Sequence, residues 1–114
     1  MSVQVKQVSA SFAVCPQLGP DDMSWVASQG FRTVINNRPD GEGGAVQPDS
    51  EEMQRAALSQ GLHYVYLPVV SGAITQEQAA AMAQALKSAP GPVLAFCRSG
   101  ARSTQLFSMA QAFT

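Results

Sequence analysis

Four apolar residues, Val93-Leu94-Ala95-Phe96, run directly into the loop Cys97-Arg98-Ser99-Gly100-Ala101-Arg102, and helical spacing resumes after it. A short, continuously apolar run bounded by turn residues has the composition of a strand buried on both faces. Leu106, Met109, Ala110 and Phe113 recur so as to share one face of a helix. The chain therefore closes with strand, tight loop and helix, a unit that needs a sheet on either side of its strand. Cys97 falls at the turn. There a helix N-terminus offers unpaired N–H groups and the positive end of its dipole, and both favour thiolate over thiol. Ser99 and Gly100 keep the loop small enough for successive amides to point inward as an anion nest, and Arg102 can grip a tetrahedral oxyanion with two hydrogen bonds. Ser103 can donate a hydrogen bond to the sulfur. The plain alternative is a buried structural cysteine; the strand before it and Gly100, Arg102 and Ser103 after it favour a nucleophile.

The rest of the chain reads as repeated strand and helix units. Phe12 to Cys15 has strand composition, and Pro20 to Gln29 is expected to be helical, with Asp21 and Asp22 at its start and Gly30 as its stop. Phe31 to Asn36 forms the next strand and leads into Arg38 and the Gly-rich stretch Pro39 to Pro48, a loop too short to separate domains. Asp49 with Glu52 opens a helix that ends at Gly61, and Leu62 to Leu67 follows as a strand. Thr75 with Gln78 opens a third helix whose apolar face is Ala79, Met82, Ala83 and Leu86, and Pro90-Gly91-Pro92 stops it. Alternating strands and helices predict an α/β fold with a mostly parallel central sheet flanked by helices. Functional loops then lie beyond the carboxyl ends of the strands. Arg38, the loop after Pro68 and Cys97 should meet at that edge.

With 114 residues, the chain fits one compact domain, 1–114, with one site. A formal net charge of -1 excludes a general nucleic-acid-binding surface. No apolar run is long enough to span a membrane, and Gln4, Lys6 and Gln7 stand where a signal peptide would be apolar, so the expected location is cytoplasmic with no membrane partner. Cys15 and Cys97 are expected to be free thiols: a lone disulfide is rare in a reducing compartment, and two cysteines are too few for a structural zinc site. Neither a metal nor a cofactor is expected.

The loop FCRSGARS resembles the active loop of single-domain rhodanese-type sulfurtransferases and, more loosely, that of cysteine-based dual-specificity phosphatases. GFRTVINNRPDGE, YLPVVSGAIT and PVLAFCRSGARS are together similar to the phosphatase-like domain of beta-lactamase-hydrolase-like proteins, a bacterial family also described as sulfurtransferases. The resemblance covers nearly the whole chain. It implies a fold like that of dual-specificity phosphatases, with Cys97 as nucleophile and Arg102 as anion-binding arginine.

Three residues or spacings depart from the phosphatase pattern. Cys97 to Arg102 is five steps where the phosphatase loop has six, Phe96 replaces the histidine before the cysteine, and Pro68-Val69-Val70-Ser71-Gly72-Ala73 carries no carboxylate where phosphatases keep their general acid. A sulfurtransferase needs no such acid. Its thiolate takes a sulfane sulfur from thiosulfate or a persulfide, holds it as a persulfide and passes it to a thiol. Sulfur transfer through a Cys97 persulfide is therefore the favoured expectation, phosphate ester hydrolysis through a phosphocysteine the alternative, and a non-catalytic anion or persulfide-binding module the third. The expected partners are a small anionic sulfur donor and a thiol acceptor, or else a phosphoester, with a fused or neighbouring sulfur-oxidising enzyme as a further candidate.

Cys97, Arg102 and Ser103 are the candidate catalytic residues; Arg98, Ser99, Gly100, Ala101, Arg38, Asp40 and Ser71 are the candidate substrate-binding residues. Arg38 can attract anions. Asp40 is the one substitute acid in view, although Pro39-Asp40-Gly41 also has the chemistry of a plain turn. The Arg98 side chain is expected to point outward. Cys15 reads as a strand cysteine ahead of a resolving thiol, and His63 as structural or exposed.

Overall fold

The computed structural model describes residues 3–114, and its centre is the apolar run before Cys97. That run is strand β5 (Val93–Phe96), in the middle of a five-stranded sheet ordered β1-β2-β5-β3-β4. Strands β2 (Phe12–Cys15) and β3 (Thr33–Asn36) flank β5 in parallel, and β4 (His63–Tyr66) extends the sheet in parallel beyond β3. β1 (Lys6–Ser9) runs antiparallel to β2, which makes the sheet mixed. All four residues of β2, β3 and β5 are buried, as expected for strands covered on both faces.

Alternation along the strands divides the core into two layers. Val93 and Ala95 face one side with Val14, Ile35 and Leu106, packed against α3 (Gln76–Ser88) and α4 (Ala101–Ala110). Leu94 and Phe96 face the other with Val34, Met23 and Met53, packed against α1 (Met23–Ser28) and α2 (Ser50–Ser59). At about 25 cal/mol per Å² of apolar surface removed from water, this double layer is the main driving force for the fold. The two caps read from the sequence are formed. Thr75 accepts from the Gln78 N–H and Gln78 Oε1 accepts from the Thr75 N–H, whereas Asp49 accepts from the Glu52 N–H.

Three local expectations change. The helix expected from Pro20 starts as a 3-10 turn, Pro20–Asp22, because the Asp22 carboxylate turns back to accept from the Gly19 N–H at 2.7 Å; only Met23–Ser28 is α-helical. The last α-helix ends at Ala110. Phe113 lies in the 3-10 turn Gln111–Phe113, 40% exposed, and does not join the buried face of Leu106. Strand β1 had no sequence signal: KQVS is polar, and as an edge strand with a bulge between Gln7 and Ser9 it needs only one paired side. Among the described residues no helix is long and apolar enough to cross a membrane.

Candidate active site

Because β2, β5 and β3 are parallel, their carboxyl ends open on the same edge, and the backbone there ties the three following loops together. The Asn37 N–H donates to the Phe96 carbonyl at 2.8 Å on one side of β5, and the Gln17 N–H donates to the Arg98 carbonyl at 3.3 Å on the other. Between them the chain turns sharply at Gly100, whose φ of +96° lies in the left-handed region. A Cβ there would sit in contact with the Cys15 backbone at 3.4 Å, and it is the left-handed conformation that calls for glycine. This turn aims the Gly100 N–H at Cys97 Sγ, 3.0 Å away, and α4 begins at the next residue.

Burial works against the Cys97 thiolate, but the Ser103 and Gly100 N–H groups, the Ser103 hydroxyl and the Ser99 N–H outweigh it, and the net pKa lies below that of an ordinary thiol. Cys15 is buried one strand away without such donors. Burial, aided by the charges of Asp22 and Cys97, pushes its pKa up to about 12, so it stays a thiol. The Ser103 hydroxyl has one proton, and here it goes to Asn37 Oδ1 at 2.8 Å. It can serve Asn37 or the sulfur at any moment, so the fixed backbone amides are the steadier stabilisers of the thiolate.

Arg102 is held by one edge. Its Nη1 donates to Glu42 Oε2 at 2.8 Å and to the Val69 carbonyl at 2.9 Å, and its Nη2 donates to Glu42 Oε1 at 3.0 Å. The other edge is free: buried Nε has no partner among the described residues, and Nη2 keeps one further proton on that side. Glu42 also accepts from Arg38 Nε at 2.8 Å, while Arg38 Nη1 reaches Gln17 Oε1 at 3.1 Å. The hydrogen bond from Arg102 holds the Glu42 carboxyl below its ordinary range against the opposing effect of burial, with Arg38 adding to it. Glu42 in turn raises the Arg102 pKa further. Gly43 makes room for this cluster, since a Cβ there would meet Arg38 Nη2 at 2.8 Å.

Above the cradle opens a polar cavity of about 910 Å³, lined by Arg38, Glu42, Arg98, Arg102, Val70 and Ser71, with Gly43, Ser99 and Ala101 completing its wall. The candidate residues Arg38, Ser71, Arg98, Ser99, Ala101 and Arg102 are thus brought together, with Cys97, Gly100 and Ser103 buried at the loop's base. Asp40 is not. Its carboxylate accepts from the Ser50 N–H at 2.8 Å and its N–H donates to the Tyr66 hydroxyl at 2.9 Å, so it ties the loop to α2 and β4 and is a turn residue, not a substitute acid. His63 is exposed on β4. Sequence reasoning missed Glu42 and Asn37. The signal for Glu42 was a lone acid four residues after Arg38 in a Gly-rich loop. Asn37, buried between the Leu67 carbonyl and Ser103, had none.

A helix N-terminus and an arginine around a low-pKa cysteine, on the carboxyl edge of a mixed α/β sheet, define the class of cysteine-phosphatase-like domains. Within that class the chain belongs to the family described as "Beta-lactamase hydrolase-like protein, phosphatase-like domain", whose model matches residues 4–114. It is 32% identical over 109 residues to the beta-lactamase hydrolase-like protein of Xylella fastidiosa Temecula1, covering 96% of this chain and 25% of that protein. It is 36% identical over 91 residues to the protein of the same description in Agrobacterium fabrum C58, covering 80% and 21%. The chain therefore spans about a quarter of the length of the curated relatives it matches. A crystal structure from Neisseria meningitidis Z2491, provisionally named a phosphatase, superposes with a TM-score of 0.85 at 30% identity, covering 93% of this chain and 75% of that one. These findings favour the phosphatase alternative over the sulfurtransferase expectation.

Proposed function

We propose that this domain hydrolyses phosphate esters through a phosphocysteine on Cys97. One observation carries the reading: beside a thiolate ringed by backbone amides, Arg102 is fixed by Glu42 and Val69 on one edge and keeps its buried Nε edge unpartnered. An unpaired buried donor is costly, about 1–3 kcal/mol, and an oxyanion bound across Nε and Nη2 satisfies it. The Cys97 thiolate attacks phosphorus, the loop amides and Arg102 take up the charge on the equatorial oxygens, and the leaving oxygen departs with the bonding pair. Water then releases phosphate and restores the thiolate. A free reactive thiol belongs in a reducing compartment, which supports a cytoplasmic site of action.

A second reading, sulfur transfer, is favoured by a different observation. Ser71 stands where a general acid is expected, and the cradle from Cys97 to Arg102 is one residue tighter than a phosphatase loop. A sulfane sulfur passing from thiosulfate to Cys97, and on to a thiol or a neighbouring sulfur-oxidising enzyme, needs neither the acid nor the extra room. Intact mass measurement after brief incubation with an aryl phosphate, or with thiosulfate, decides between them. The phosphatase reading expects phosphoryl uptake on Cys97 that Cys97→Ser abolishes. Uptake of sulfur alone replaces it with the second reading.

A further inference from the structure

Among the described residues the cavity is lined by four charged side chains, and only one of them lacks a partner. Glu42 is clamped between Arg38 and Arg102. Arg98, exposed on the wall one residue after the nucleophile, makes no ion pair or side-chain hydrogen bond among the described residues. Among the described residues Glu42 is also the one carboxyl group lining this cavity. Its two arginines keep it ionised, so it has no proton to give to a leaving group. The neighbouring Ser71 hydroxyl is a poor acid and makes no side-chain hydrogen bond among the described residues.

A leaving group that cannot be protonated must be stable as an anion. On that criterion an alcohol, as weak an acid as water, is worst. A phenol at about 10 is better, and a phosphate that already carries a proton or an ester substituent of its own, so that it leaves as a dianion whose conjugate acid has a pKa of about 6, is best. A phosphate leaving group also carries charge that an unpartnered arginine can bind with two hydrogen bonds. The cavity, at about 910 Å³, has room for a second phosphate beyond the one on the loop.

We infer, building on the phosphatase reading, that the substrate is a phosphoanhydride whose terminal phosphoryl group sits on the Cys97 loop and whose leaving phosphate is held by Arg98. Cys97 Sγ forms the bond to the terminal phosphorus as the bridging P–O bond breaks. The bonding pair stays on the bridging oxygen, which leaves as part of a phosphate anion needing no proton from the protein. Water then adds to the phosphocysteine: its hydroxyl stays on the released phosphate, its second proton goes to solvent, and the S–P pair returns to sulfur. Arg98 here neutralises the leaving group, a task that an acid performs by protonation.

The test uses the whole domain in EDTA with inorganic pyrophosphate, phenyl phosphate and ethyl phosphate, following phosphate release and phosphocysteine by intact mass. The expected order of kcat/KM is pyrophosphate, then phenyl phosphate, then ethyl phosphate, with at least tenfold between the first two. Arg98→Ala should lower the pyrophosphate-to-phenyl-phosphate ratio at least tenfold, and Arg98→Lys should recover part of it. Circular dichroism verifies that both variants fold. Phosphoryl uptake from phenyl phosphate with no preference for pyrophosphate, or with a ratio unmoved by Arg98→Ala, overturns this inference and leaves the phosphatase reading standing. Failure of all three compounds to load Cys97 overturns both.

Discussion

Replacing Glu42 tests whether the clamp on Arg102 organises the site. Glu42→Ala removes three charge-assisted hydrogen bonds, from Arg38 Nε at 2.8 Å, Arg102 Nη1 at 2.8 Å and Arg102 Nη2 at 3.0 Å. Removing one partner of a fully buried pair costs about 3–5 kcal/mol. The Arg102 side chain is 8% exposed but that of Glu42 is 28% exposed, so water reaches the vacated place. Solvent screening reduces the expected loss to about 1–2 kcal/mol. For a domain of this size that lowers Tm by roughly 4–10 °C. Turnover should fall more than binding: Arg102 loses its fixed orientation, while removal of a negative charge strengthens the bare attraction for anions. We expect kcat to drop roughly 10–100-fold with a much smaller change in KM. Glu42→Gln should be intermediate. Because the native Glu42 pKa is lowered, its contribution is complete above the ordinary glutamate pKa and is lost as pH falls through the lowered native value. Melting curves of wild type and Glu42→Gln should therefore converge in acid. Thermal denaturation from pH 3 to 8 with steady-state kinetics measures all of this. A Glu42→Ala domain with unchanged Tm and kcat refutes the clamp.

Other substitutions probe the cradle from different sides. Arg102→Lys should reduce turnover roughly 10²–10³-fold, because a point charge cannot span two oxyanion positions as the free Nε and Nη2 edge can; near-normal kinetics would remove Arg102 from the site. Gly100→Ala forces a side chain into the left-handed region at φ +96° and against the Cys15 backbone. It should cost about 1–3 kcal/mol in denaturant titration and raise the Cys97 pKa. Ser103→Ala leaves Asn37 Oδ1 without its donor at a buried position, which should cost about 1–3 kcal/mol. It should shift the rate-versus-pH profile of Cys97 only slightly upward, since the backbone amides remain; a large shift would make the hydroxyl the main stabiliser.

The parts of this fold written in local chemistry were readable in advance. Thr75 and Gln78 announce the start of α3 by their own side chains, and the continuous apolar run of β5 announces a strand buried on both faces. The position of Cys97 between that strand and a helix then follows, as does the edge where Arg38 and Ser71 line one cavity with Arg98 and Arg102 of its loop. Features created by tertiary pairing were not readable. β1 is polar and exists because β2 offers it an edge. Glu42 looks like one more residue of a Gly-rich turn until the loop folds back and sets it 60 positions away against Arg102. Phe113 fits the helical period by spacing, but the α-helix ends three residues earlier. Asp40 had the composition of both an acid and a turn, and its bonds to Ser50 and Tyr66 decide for the turn.

The central claim, that the loop holds Cys97 as a thiolate beside an oxyanion-binding edge of Arg102, is tested most directly by alkylating the intact domain across pH. Iodoacetamide labelling from pH 5 to 10, read residue by residue by mass spectrometry with and without inorganic phosphate, reports both properties at once. Cys97 should label with a pKa below that of a free thiol and be protected by phosphate, while Cys15, pushed up to about 12, labels slowly throughout. A Cys97 profile with an ordinary thiol pKa of about 8.5, or labelling indifferent to phosphate, would contradict the account.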